Sequence, residues 1–158
     1  RVQLRELQMV QEARGDPEKL YKIMVRESKT KEAKVLALEK LAKFYEGNDK
    51  VKEAIETYQA IEALELSPNA AQAALRIGQL LATQRQFIQA VQAYSRVLTK
   101  YEEETLYPDA LYGIGAAYFA NEQWEFARRY LQQVVERYPA STQAKEAEKL
   151  LARIPAGQ

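Results

Sequence analysis

The sequence contains no cysteine and no histidine among its 158 residues. Without cysteine there is no disulfide, no thiol nucleophile and no iron–sulfur cluster, and zinc loses its thiolate ligands. Without histidine, the Ser-His-Asp arrangement and the common proton shuttle near neutral pH are excluded as well. The six glycines are isolated, so no phosphate-binding loop is present. Carboxylate, lysine and tyrosine chemistry stay possible. The serines have no base near them in the sequence, and no Asp or Asn spacing resembles a calcium loop, so we predict a non-catalytic protein that holds no metal and no cofactor.

The chain also has little net charge, with 23 Lys and Arg against 22 Asp and Glu, a formal charge of +1. A protein dedicated to nucleic acid normally concentrates positive charge to displace counterions from phosphates. Nucleic acid is therefore not an expected partner.

Long apolar runs are missing too. A membrane-spanning helix needs about 18 or more apolar residues, and neither such a run nor a signal peptide is present. The chain begins at Arg1 without a methionine, so we expect a processed chain or a domain excised from a longer one.

Proline and glycine are few, and they lie at intervals along the chain. Asp16 and Pro17 form a helix start, with Asp as the cap and Pro at the first helical position. Gly15 and Gly47 lie where helices should end. Between such marks apolar residues recur at spacings of three and four, which predicts helices joined by short turns and therefore antiparallel neighbours.

One pattern of residues recurs along the chain. Its clearest copy is Leu111, Ile114, Gly115, Tyr118, Ala127, Leu131, Val134 and Pro139. Steps of 37, 36 and 34 residues toward the N-terminus reach copies that begin at Ala74, Leu38 and Leu4, and the last of these has lost its small residues. A pattern that recurs at this interval predicts helical hairpins stacked in sequence.

The clearest copy resembles the tetratricopeptide repeat, a helix-turn-helix unit of about 34 residues with the signature aromatic-x-x-L-G-x-x-Y, A-x-x-x-F and P. The resemblance, to the bacterial type of the family, implies an all-α, right-handed superhelical solenoid of antiparallel helix hairpins. We predict a single domain over residues 1–158. Its parts are a degenerate repeat at 1–34, repeats at 35–68, 71–104 and 108–141, and a C-terminal capping helix at 142–154.

The resemblance also implies a concave groove, lined by the first helix of each hairpin, that binds a segment of a partner protein. The groove candidates are Tyr112, Phe119, Ala116, Asp109, Leu75, Gln72, Gln79, Arg76, Glu39 and Lys43. Some family members clamp a terminal carboxylate with Lys and Asn at two groove places. Those places hold Glu39 and Lys43, then Leu75 and Gln79, so this clamp is not expected.

The helix around residues 109–120 carries a second apolar stripe, Tyr112, Ala116 and Phe119, beside its core stripe. A helix with two apolar faces must bury the second one against something, here the capping helix, another copy of the protein or a ligand. Burial of Phe119 by the capping helix and its exposure in the groove are both open. Tyr112 is the stronger candidate for a binding anchor, because tyrosine offers a large contact area with few rotatable bonds.

These observations predict a non-catalytic protein-interaction scaffold whose partner is a protein or peptide segment. Tyr138-Pro139-Ala140-Ser141 is similar to repeat proteins of the bacterial cell envelope, so we expect the periplasm or envelope as the compartment, with a role in assembly there. A cytoplasmic assembly scaffold, a self-associating scaffold and an accessory domain of a larger enzyme are the open alternatives.

Overall fold

The computed structural model describes residues 2–157, and the first and last residues of the predicted domain, Arg1 and Gln158, lie outside the described residues. Within that range the chain is helical and contains no strand, which confirms the predicted all-α class. The α-helices are α1 (Val2–Ala13), α2 (Pro17–Glu27), α3 (Lys31–Gly47), α4 (Val51–Ala63), α5 (Asn69–Thr83), α6 (Phe87–Lys100), α7 (Tyr107–Ala120), α8 (Trp124–Arg137) and α9 (Thr142–Arg153). A short 3-10 turn, Glu104–Leu106, precedes α7.

Side-chain caps begin several of these helices. The Asp16 carboxylate accepts a hydrogen bond from the Lys19 amide at 3.3 Å, with Pro17 as the first residue of α2. The Ser141 hydroxyl accepts from the Ala144 amide at 3.0 Å and begins α9. Such caps satisfy amides that have no partner inside the helix, which is why Asp16 followed by Pro17 predicts a helix start.

The turns α3–α4, α5–α6 and α7–α8 share one backbone geometry. Asp49, Arg85 and Glu122 each have a positive φ, of 57°, 59° and 59°. The amide that follows each of them donates to a carbonyl five residues earlier: Lys50 to Tyr45, Gln86 to Leu81, and Gln123 to Tyr118, at 2.9, 3.0 and 3.0 Å. This pattern is the Schellman termination of a helix, which turns the chain back within a few residues.

The chain divides into two compact units, Arg1–Ala70 and Ala71–Gln158, with the boundary inside α5. In the first unit α2 packs against α1 and α3, and α3 packs against α4. Its buried side chains include Leu38, Leu41 and Ala42 on α3 and Ala54 and Ile61 on α4. The degenerate helix α1 buries Ala13 and exposes Val2, Leu4, Leu7 and Val10.

In the second unit α7 packs against α6, α8 and α9. The core cluster around its C-terminal helices consists of Leu111, Ala127, Leu131, Val134, Ala144 and Ala147. Gly115 faces Leu131, and a Cβ added to this glycine would lie 2.7 Å from the leucine Cδ2. A mid-helix glycine costs stability, so close helix packing is the physical reason for a glycine here. The division of the chain into one domain with four repeats stays a prediction.

Candidate functional site

An open pocket of about 540 Å³ lies in the second unit, lined by α5, α7 and α9 together with Phe87 and Tyr94 of α6. Small residues of α7 leave the room for it, among them Gly113, Ala116 and Ala117. Polar side chains stand around this space: Gln79 from α5, Asp109 and Tyr112 from α7, and Gln143 and Glu146 from α9. We call it the α5–α7–α9 pocket.

Tyr112 is half-buried in the wall of this pocket, and its ring packs on the core cluster below. Burial raises the pKa of its hydroxyl, the negative charge of Glu146 raises it further, and Lys149 opposes the rise. The hydroxyl therefore stays protonated at neutral pH and can both donate and accept a hydrogen bond.

Asp109 connects α7 to α9. Its carboxylate accepts a hydrogen bond from the Gln143 side-chain amide at 2.6 Å. Glu146, one turn further along α9, pairs with Lys149 at 3.1 Å on the exposed surface. The two carboxylates thus lie in one pocket wall, and the pocket lining in residues 2–157 includes no lysine or arginine.

Tyr94 belongs to α6, and its ring reaches the pocket between α5 and α7. Its ring lies against Gly78 of α5 and Gly113 of α7, where an added Cβ would come within 2.7 and 2.5 Å of ring carbons. Tyr94 is only 4% exposed, yet it lines the pocket. Burial raises the pKa of its hydroxyl to about 12; Asp109 and Tyr112 raise it too, and Arg76 lowers it.

The structure places four of the ten groove candidates, Gln79, Asp109, Tyr112 and Ala116, in this pocket. Arg76 is half-buried next to it and donates to Gln79 at 2.9 Å, while Gln72 is exposed and does not line the pocket. Leu75 is only 9% exposed and does not line this pocket, and its place in a groove stays a prediction.

Phe119, the other aromatic candidate on α7, is half-buried outside the pocket lining. Its ring makes an edge contact with Trp124 at 5.3 Å between centroids, and the Arg153 guanidinium of α9 lies 5.2 Å from its centroid. Of the two options that the sequence left open for Phe119, the structure favours burial of its ring by the last helix, α9.

Glu39 and Lys43 belong to α3 in the first unit. Glu39 accepts a hydrogen bond from the Asn69 side-chain amide at 2.6 Å, and Lys43 is exposed. The α5–α7–α9 pocket does not include either of them.

Sequence reasoning missed several residues of the pocket, and the polar ones that matter most here are Tyr94, Gln143 and Glu146. The repeat spacing held the signal for the last two, because Gln143 lies 34 residues after Asp109 and Glu146 lies 34 after Tyr112. The closing helix α9, for which the sequence predicts only a capping role, therefore repeats the pocket-lining positions of α7. Tyr94 occupies a core place in the repeat, and only the tertiary structure shows that its tip reaches the pocket.

No helix within residues 2–157 has the length and the apolar character needed to cross a bilayer. In the same range, Asp and Glu side chains do not gather in groups of three or more that could hold a metal ion.

Comparisons with known proteins agree with this architecture. A model of the tetratricopeptide repeat family matches residues 109–141, the stretch of α7 and α8. No curated protein is similar enough in sequence to match the chain.

Two crystal structures of nearly identical TPR-like repeats, from a Podosopora anserina protein described as a kinesin light chain, are similar in fold. One has a TM-score of 0.70 at 21% identity and covers 92% of this chain and 76% of its own. The other has a TM-score of 0.69 at 22% identity, with 92% and 77% covered. At such identities the likeness shows the fold alone.

Helical hairpins with a recurring turn and small residues at the helix crossings define a helical-repeat protein. A tetratricopeptide repeat model therefore matches over α7 and α8, and the likeness in fold to TPR-like repeats covers 92% of the chain. Repeats of this family generally bind protein or peptide partners and are generally non-catalytic.

Proposed function

We propose that the protein is a non-catalytic interaction scaffold that receives a segment of a partner protein in the α5–α7–α9 pocket. The supporting observation is Tyr112, which stands half-buried in the pocket wall with Gly113 and Ala116 leaving space beside it. An aromatic side chain held on a rigid helix loses little entropy when a ligand packs against it.

The polar groups around Tyr112 suit an extended peptide. Gln79, Gln143 and the Tyr112 hydroxyl can hydrogen-bond to the amides of a bound backbone, while the apolar surface of Ala116 and Phe87 can take side chains. The hydrogen bond from Gln143 to Asp109 holds two of these helices in register before any ligand arrives.

The test uses random 12-residue peptides displayed on phage and selected against the intact chain. A selected peptide is then synthesised, and its affinity is measured for the wild type and for Tyr112→Ala. We expect Tyr112→Ala to weaken binding at least tenfold, because loss of an aromatic anchor costs about 2 kcal/mol.

Phe126→Ala is the matched control, since Phe126 is an aromatic residue of α8 that is 42% exposed and lies outside the pocket. Circular dichroism verifies that both variants keep their helices. Equal affinity of the peptide for wild type and Tyr112→Ala would place the binding surface elsewhere.

We also propose a setting in bacterial cell-envelope assembly, supported by the Tyr138-Pro139-Ala140-Ser141 sequence at the start of the last helix. Fractionation of cells that make the full-length protein tests this, and recovery from the cytosol alone would contradict it.

A further inference from the structure

Two tyrosines hold the same place in successive repeats but differ in their hydrogen bonding. In the first unit, the Tyr58 hydroxyl of α4 donates to the carboxylate of Glu46, twelve residues earlier. Twelve residues before Tyr94 stands Ala82, which has no side-chain acceptor. Between residues 2 and 157, the Tyr94 hydroxyl forms no hydrogen bond.

The Tyr94 hydroxyl opens into the α5–α7–α9 pocket. A Cβ at Gly113 would lie 2.5 Å from Cζ, the ring carbon that carries the hydroxyl, so the tip of the ring passes this glycine at the pocket floor. The rest of the side chain is buried. The hydroxyl itself is accessible from the open pocket, so a polar group of a ligand can replace water as its hydrogen-bond partner.

Charges of both signs lie near this hydroxyl, because Arg76 lowers its pKa and Asp109 raises it, but the charged groups in the described pocket lining are the carboxylates of Asp109 and Glu146. Asp109 lies on α7 one turn before Gly113, and within the described residues it accepts a neutral amide but forms no ion pair with Lys or Arg. Glu146 adds a second carboxylate, partly offset by Lys149 at the surface. Arg76, on α5, has the Gln79 side chain as one of its partners.

We infer that this end of the pocket is a subsite for a lysine or arginine side chain of the bound segment. Asp109 supplies the opposite charge, and the Tyr94 hydroxyl oxygen accepts one N–H of the cation. The inference rests on the proposed peptide-binding function and adds the chemistry of the segment that binds. A carboxylate in this place would be repelled by Asp109 and Glu146. An apolar group would desolvate the Asp109 charge without supplying an opposite charge, and it would give the Tyr94 hydroxyl no partner.

The test begins from the peptides selected on the intact chain. We expect a lysine or arginine to recur at one position of the selected 12-residue sequences. The synthetic peptide is compared with an analogue in which that residue is norleucine, for lysine, or citrulline, for arginine. Loss of the charge should weaken binding about tenfold, the effect typical of a charge-assisted hydrogen bond.

Two protein variants then identify the groups that hold the cation. Tyr94→Phe keeps the ring between Gly78 and Gly113 and removes only the hydroxyl, and Asp109→Asn keeps the shape and removes the charge. Each should weaken binding of the basic peptide about five- to tenfold and leave binding of the neutral analogue nearly unchanged. The matched controls are Tyr58→Phe and Asp49→Asn in the first unit, which should alter neither affinity.

The outcomes separate the two proposals. If the selected peptides depend on Tyr112 but carry no recurrent basic residue, the cation subsite is wrong and the peptide-binding pocket stands. Equal losses for the basic and neutral peptides in Asp109→Asn would likewise overturn the subsite. If no selected peptide depends on Tyr112, the proposed function fails and the subsite fails with it.

Discussion

At the scale of single residues, Gly78 and Gly113 make the space that the Tyr94 ring occupies. Gly78 belongs to the repeat pattern and was visible in the sequence, where a glycine inside a helix indicates close packing. Gly113 lies outside that pattern, and only the position of the Tyr94 ring explains it. A single sequence cannot reveal such a pair, because the tyrosine and the glycine lie on different helices.

Gly113→Ala should therefore destabilise the fold. The new methyl group would lie 2.5 to 2.7 Å from the atoms of a ring that is also enclosed by Gly78. Overpacking of this kind costs about 1–3 kcal/mol in the free energy of unfolding. Urea denaturation of the intact chain measures the change.

Gly47→Ala is the control for this substitution. Gly47 ends α3, and no atom lies within 4 Å of an added Cβ there. Alanine has the higher helix propensity, so this variant should match the wild type or gain up to about 1 kcal/mol. Equal stability of the two alanine variants would mean that the ring does not confine Gly113.

At the scale of elements, the helix starts and ends were well predicted where side-chain chemistry marks them. Asp16 and Pro17 begin α2, and Gly47 is the last residue of α3. For the hairpin turns, the sequence predicted their positions but not their backbone conformation. Their residues Asp49, Arg85 and Glu122 adopt a left-handed backbone that glycine favours, and none of them is glycine.

Glu122→Gly should consequently stabilise the α7–α8 hairpin. The left-handed region costs a residue with a Cβ about 1–2 kcal/mol, and glycine avoids this strain. Glycine also has more conformational freedom in the unfolded chain, which offsets part of the gain. We expect a net gain of about 0.5–1 kcal/mol, measured as a higher urea midpoint.

Glu125→Gly, three residues later in the first turn of α8, is the matched control. It makes the same replacement in ordinary helical backbone, so it should lose up to about 1 kcal/mol. A loss at Glu122 as large as that at Glu125 would show that the positive φ carries no strain.

At the scale of the whole molecule, the missing histidine and cysteine determine how stability responds to pH. No side chain has an ordinary pKa between those of the carboxylates and those of tyrosine and lysine. The free energy of unfolding should therefore be nearly constant from about pH 6 to about pH 9. Urea midpoints across this range check the expectation, and a midpoint that shifts steadily with pH would contradict it.

Stability should fall on both sides of that plateau. A hydrogen bond from Lys22 is the main cause of the lowered pKa of Glu18, and one from Arg5 is the main cause for Glu27. Both carboxylates therefore contribute to the free energy of unfolding above a pH of about 4.5, and this contribution is lost as the pH falls through the lowered pKa values. Burial raises the pKa of Tyr94 from 10.0 to about 12, so its contribution is complete below pH 10 and is lost between about 10 and 12. Tyr94→Phe should reduce the alkaline loss and leave the acid side unchanged.

The sequence by itself determined the helical class, the hairpin repeat and the absence of thiol and imidazole chemistry. These properties follow from composition and from spacings along one helix, which are local. The tertiary structure alone decided that Leu75 is buried and that Phe119 lies against Trp124 and Arg153. It also decided that α9 helps to line the pocket and that the Tyr94 hydroxyl reaches it. The physical reason is that a side chain's surroundings depend on which helices cross near it and how closely, and the repeat pattern of a single chain does not contain that information.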